Sequence, residues 1–333
     1  MVAAVAVETF MSRRFNGLLN AVSVLLLLII GCVPVAQART YGVVAAGLGG
    51  NADYDVAFSE AAQNLASGLR TLDNDQSLVN LLDNAVTRES ILTAIASQAE
   101  RMQADMDNDE SGAGEPVFIL MLTGHGNADS RGWRFNVAGP DLSSEDLIAA
   151  LNAIPTSRQL VVLAASASGA ALDSMSQLGR VLVTATKSGG EINAVRFPGY
   201  LAQALEGDIA DYDRNEILTV AEAFRFADAR TREYYEQQNL LASEHSRIRG
   251  ELADEIAVSL LGSLQDARND PAVAALLDER LVLEHQFKAL RMRKPDMPVE
   301  EYYAELETLL LSIAQMQQSI DAATGWNDSD ADS

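Results

Sequence analysis

From residue 40 onward, short apolar runs alternate with longer segments whose apolar positions recur every three to four residues. The runs predict strands at Thr40–Ala46, Ser77–Leu82, Val117–Leu122, Gln159–Ala165 and Val181–Ala185. The periodic segments predict helices over 54–71, from Thr87 to about Met106, and over 143–153, 198–206 and 219–238. Thr87-Arg88-Glu89-Ser90 and Ser143-Ser144 supply cap residues at two of the helix starts. Gly47-Leu48-Gly49-Gly50 reads as a turn, Asp105 to Gly114 as an acidic loop, and Trp133 to Val137 as part of a short hairpin. Gln159–Ala165 is apolar almost throughout, as a strand buried on both faces should be. Strands alternating with helices predict an α/β fold, with a mainly parallel sheet flanked by helices in three layers.

The pattern changes near residue 250. Strand signals stop, and 251–266, 271–292 and 298–321 read as amphipathic helices, the second ending at Lys294-Pro295. Leu276, Leu277, Leu281 and Leu290 would zip against Leu306, Leu309, Leu310 and Ile313 in an antiparallel hairpin or coiled coil. That extension is either packing for the α/β core or a surface for self-association.

The first forty residues follow neither pattern. Arg13 and Arg14 precede the apolar stretch Val22 to Ile30, which is too short to span a bilayer comfortably. Ala36-Gln37-Ala38 then offers a small-x-small cleavage site, with a mature chain beginning at Arg39. Export to the periplasm or the exterior follows. Ile29-Ile30-Gly31-Cys32 is an alternative lipoprotein box, and Met11 an alternative start. No later segment is apolar enough to cross a membrane. The expected division is therefore a signal at 1–38, an α/β domain at 39–240, a helical extension at 250–325 and an acidic tail at 326–333.

Composition narrows the chemistry. A net charge of −23, from 24 Lys+Arg against 47 Asp+Glu, excludes nucleic acid as a partner, since its phosphates would be repelled. Cys32 is the single cysteine. Cleavage after Ala38 leaves a mature chain without disulfide or thiolate chemistry.

Two strand ends carry the remaining candidate chemistry. One strand finishes in Thr123-Gly124-His125-Gly126, another in Ala165-Ser166-Ala167-Ser168-Gly169. The carboxyl ends of neighbouring parallel strands open into one crevice, so a base and a hydroxyl would meet there. Two plainer readings stand beside this: His125 as a hydrogen-bonded strand-end histidine, and Ser166 or Ser168 as a cap for a helix starting near Gly169. His245 and His285 read as surface residues on charged helical segments, and Asp129 as the nearest downstream carboxylate able to orient His125.

The motif pair resembles the legumain, gingipain and caspase group of cysteine peptidases over residues 40–235. In that group one apolar strand ends in His-Gly and another in Cys-x-Ser-Gly or Cys-x-Gly. His125-Gly126 matches the first motif. Ser166-Ala167-Ser168-Gly169 matches the second, with serine in place of cysteine. The resemblance implies a caspase-like fold, His125 as base, Ser166 at the nucleophile position, and Gly126 with the Ser166 N–H as oxyanion hole. It also implies little peptidase activity, because a hydroxyl needs a tightly placed base where a thiol does not.

A second cluster lies at 211–222, Asp-Tyr-Asp-Arg-Asn-Glu-Ile-Leu-Thr-Val-Ala-Glu. Asp211, Asp213, Asn215, the Ile217 carbonyl, Thr219 and Glu222 have the spacing of an EF-hand-type Ca²⁺ loop. Glu216 stands where such loops carry glycine, and Thr219 with Glu222 also reads as a capping box for the following helix. The run Asp105, Asp107 and Asp109 has Pro116 at the twelfth position and reads as a solvated loop.

Three functions remain open: a non-proteolytic relative binding a peptide or protein partner and needing no cofactor, a hydrolase using Ser166 and His125, and a calcium-stabilised scaffold.

Overall fold

The computed structural model describes residues 39–72, 78–82, 86–108, 115–268 and 270–324. The predicted signal over 1–38, including Met11 and Cys32, and the acidic tail lie outside those residues. Among the described residues, no helix is long and apolar enough to cross a membrane.

Six strands form the central sheet: β1 (Thr40–Ala46), β2 (Leu78–Leu81), β3 (Val117–Gly124), β7 (Gln159–Ala165), β8 (Arg180–Thr184) and β10 (Arg247–Arg249). Their order is β10-β8-β7-β3-β1-β2. All neighbours are parallel except β10, which runs antiparallel to β8 at one edge. A three-stranded antiparallel sheet of β4 (Gly126–Asp129), β5 (Gly132–Phe135) and β6 (Leu142–Ser143) follows β3, and β9 (Ile217–Thr219) pairs with β11 (Ala257–Leu260).

Alternate residues of each central strand point to opposite faces, and both faces are covered. On one side Val44, Ile119, Met121, Leu160, Val162, Val181 and Val183 pack under α1 (Ala52–Arg70), α5 (Phe197–Leu205) and α6 (Val220–Gln237). On the other, Tyr41, Val43, Phe118, Leu120, Val161, Leu163 and Leu182 pack under α2 (Arg88–Asp107), α3 (Ser144–Asn152), α4 (Leu172–Met175) and the hairpin residues Trp133 and Phe135. The expected class is present: a mainly parallel sheet between helical layers, extended by C-terminal helices.

Local sequence accounts for several boundaries. Thr87 with Ser90, and Ser143 with Asp146, form reciprocal capping boxes at the starts of α2 and α3. Arg180 is a buried cation at the amino end of β8. It donates to Gln159, to the Met175 carbonyl and to Asn152, and burial lowers its pKa to about 10.

The region after residue 250 corrects the sequence reading. Residues 251–266 are not one helix: turns at 251–255 lead into β11, and α7 (Gly262–Arg268) follows. Three- and four-residue strands give no periodic signal of their own, and β9, β10 and β11 exist through pairing with distant residues. α8 (Pro271–Arg293) and α9 (Val299–Thr324) form the expected antiparallel pair. Val273, Leu277 and Ile320 enter the same apolar cluster as α1 and α5, and Leu290 is buried. The predicted zip is incomplete. Leu310 is exposed, and Leu290 and Leu309 line a groove of about 520 Å³ along the helix pair.

Candidate functional site

Strand register brings the two motif ends together. β3 and β7 pair with Gly124 opposite Ala165, so the next residues of each, His125 and Ser166, emerge side by side. His125 Nδ1 lies 3.3 Å from Ser166 Oγ. The pair sits at the carboxyl ends of β3 and β7, one strand from the β1–β3 boundary where the winding reverses direction. β1 pairs with β3 up to Ala46 opposite Thr123, which sets the Gly47–Gly50 turn beside the imidazole.

The Gly49 backbone comes close enough to the ring to favour its protonated form. The turn is held in turn by Asp55, whose Oδ1 accepts from the Gly49 N–H at 2.7 Å. A Cβ on Gly49 would lie 2.3 Å from the Asp55 nitrogen, so only glycine permits this approach. Asp129 does not orient His125. It accepts from Arg134 at 2.9 Å and from the Arg131 backbone at 2.8 Å, which hold its pKa at about 2.

Tyr54 and Phe58 meet the His125 ring at near right angles, with centroids 5.1 and 5.0 Å away. Burial pushes the imidazole below its ordinary pKa, against the opposing pull of the Gly49 backbone and Asp55. At neutral pH the ring is uncharged and able to accept a proton.

Ser166 is buried, with 1% of its surface exposed. Its hydroxyl donates to the Asn193 carbonyl at 2.9 Å, a shorter contact than the one to His125. Its own carbonyl accepts from Trp133 Nε1 at 3.0 Å. A Cβ on Gly126 would lie 2.6 Å from that indole nitrogen and 2.7 Å from the Ser166 oxygen. Gly126 therefore permits the close fit of the hairpin against the Ser166 turn. Trp133 was missed as a site residue in the sequence, where a tryptophan in a short hairpin signals only packing.

Ser168 does not cap a helix. A 3₁₀ turn over Ser168–Ala171 has no side-chain cap, and Ser168 instead bonds Thr186. His245 is on neither a helix nor a bare surface: it is half-buried, with Nδ1 2.5 Å from Glu191 Oε1. His285 lies within α8. Asp105 is tied to Tyr41 and Arg39 within α2.

A cavity of about 360 Å³ is lined by Tyr54, Phe58, Val195, Arg196, Tyr200 and Gln203 among others; it shares with the site the two rings that touch His125, and neither His125 nor Ser166 lines it. The chain matches no family model and no curated protein. Among solved structures it is similar to the crystal structure of the Drosophila initiator caspase Dronc. The identity is 9% and the TM-score 0.38, over 64% of this chain and 81% of that one.

The acidic loop also converges. Ligand oxygens of Asp211, Asp213 and Glu222 lie within 4.8 Å of one another. Arg214 and Glu216 both adopt left-handed backbone, φ 57° and 61°. The glycine-position residue therefore takes the conformation an EF-type turn requires, at a cost of about 1 kcal/mol. Glu216 is compensated by accepting from Ser263 Oγ (2.6 Å) and the Leu264 N–H (3.1 Å) at the start of α7. Asn215 Oδ1 accepts from the Ile217 N–H, and Ile217 and Thr219 belong to β9. The capping box is equally present, Glu222 Oε2 accepting from Thr219 Oγ1 at 2.7 Å. Burial, then Glu222, pushes the Asp213 carboxyl above its ordinary pKa.

Proposed function

We propose that this chain is an exported relative of the caspase and legumain peptidases that has lost proteolysis and binds a peptide or protein segment in the inherited crevice. One observation carries the reading. The Ser166 hydroxyl is buried and gives its proton to the Asn193 carbonyl, an acceptor that cannot serve as a base. An alcohol so held lacks the activation that amide attack demands, a deficit of about 5 kcal/mol or more in barrier. The test is labelling with a fluorophosphonate probe. The full-length protein stays unlabelled, whereas labelling that vanishes in both Ser166→Ala and His125→Ala overturns the proposal.

That second outcome has its own supporting observation. A neutral imidazole 3.3 Å from a serine hydroxyl, with the Gly49 backbone near the ring, supports a serine-hydrolase reading. A hydrolase reading requires the Asn193 carbonyl to withdraw.

We also propose that Asp211, Asp213, Asn215, the Ile217 carbonyl and Glu222 take a Ca²⁺ ion that stabilises the domain. The three converging carboxylates and the raised Asp213 support it, since a cation relieves their mutual repulsion. Ca²⁺ at a hundred times its dissociation constant then adds about 2.7 kcal/mol. A melting temperature that rises with Ca²⁺, falls with EDTA and loses both responses in Asp211→Ala is expected. Equal melting in all conditions disposes of the ion.

A further inference from the structure

We propose that residues 187–193 form a strap, latched by Glu191 and His245, that closes the Ser166 side of the crevice and controls access to it. This regulates the binding crevice proposed above and takes its functional meaning from that reading.

The strap engages the nucleophile turn directly. Ser166 Oγ donates to the Asn193 carbonyl at 2.9 Å, and the next residue's N–H, on Ala167, donates to the Glu191 carbonyl at 2.8 Å. Ala167 holds a left-handed backbone, φ 57°, without being glycine, so the turn is strained and the strap's carbonyls help fix it. The fit underneath is close. A Cβ on Gly169 would lie 2.1 Å from the Ser188 nitrogen, and one on Gly189 would lie 2.9 Å from Ala128 Cβ.

The strap is also thin. Lys187, Ser188, Gly190, Ile192 and Asn193 are exposed, Ile192 to 70%. A segment that buries so little apolar surface opens at low cost unless something pins it. Glu191 is the pin. Its carboxylate accepts from the Lys187 N–H (2.9 Å) and the His245 N–H (3.2 Å), and meets His245 Nδ1 at 2.5 Å and Lys187 Nζ at 3.5 Å. Two of those partners come from the segment just ahead of β10, outside the strap. One carboxylate thus ties the strap to the far edge of the sheet.

Access to position 166 is the readout. In full-length protein carrying Cys32→Ser and Ser166→Cys, iodoacetamide alkylation reports exposure of a single thiol. Glu191→Ala is expected to speed alkylation about tenfold or more, because a charge-assisted hydrogen bond is worth a decade or more in an opening equilibrium. Hydrogen exchange in the protein with serine retained supplies the second measurement. Glu191→Ala strips protection from the Ala167 N–H and leaves the Leu163 N–H, inside β7, unchanged. Should Glu191→Ala not fold, His245→Phe carries both readouts. Equal alkylation rates with and without the latch, or simultaneous loss of protection at Ala167 and Leu163, overturn the strap. A chain that binds no peptide overturns the proposed function and leaves the alkylation contrast in place.

Discussion

His125 owes its character to what surrounds it. Two aromatic rings set perpendicular to it remove water from one side of the ring, and the Gly49 backbone pulls weakly the other way. Burial opposes the imidazolium, so the folded pKa falls below the ordinary value of about 6.5. The linkage sign follows: the stability contributed by neutral His125 is present above the unfolded pKa and is lost as pH falls through the folded one. NMR titration of the ring is expected to give a midpoint below the ordinary value. Phe58→Ala should admit water and move that midpoint upward. An ordinary midpoint in the unmodified protein, or no movement on substitution, contradicts this account.

Among the elements, α5 begins without a side-chain cap of its own. Glu244, more than forty residues downstream, supplies one. Its carboxylate accepts from the Arg196 N–H (2.9 Å), the Phe197 N–H (3.2 Å) and the Tyr235 hydroxyl (3.0 Å), and it is 2% exposed. A carboxylate there also complements the positive end of the helix. Glu244→Ala leaves these donors unpaired in a buried place, and a loss of about 3 kcal/mol is expected in denaturant unfolding. A loss under about 0.5 kcal/mol, typical of a surface change, defeats the assignment. Val195 and Arg196, which lead into α5, also line the cavity that Tyr54 and Phe58 wall, so this cap fixes part of that cavity.

At the scale of the whole molecule, the C-terminal helices are joined to the core. Val273, Leu277 and Ile320 share its apolar cluster, and buried Arg280 donates to the Asn215 carbonyl at 2.9 Å and to Gln317. Truncation after Arg268 strips three buried aliphatic side chains from that cluster, worth about 1.5–3 kcal/mol each. The melting temperature is expected to drop by roughly 10 °C or more. A truncated chain that melts with the intact one shows an independent appendage.

Much of this was legible in the sequence because it depends on local pattern. The apolar runs determined β1, β3 and β7 nearly to the residue, and the caps at Thr87 and Ser143 determined where helices start. The motifs at His125 and Ser166 fall at strand ends, and parallel pairing leaves the ends of adjacent strands on one side. Tertiary structure decided the rest, because it rests on partners far apart in the chain. Residues 257–260 are a strand only because 217–219 lie alongside. Gly49 rather than Asp129 faces the imidazole because β1, not the hairpin, flanks β3. Whether the Ser166 hydroxyl meets a base or a carbonyl depends on a segment twenty-seven residues away, whose path its own sequence does not specify.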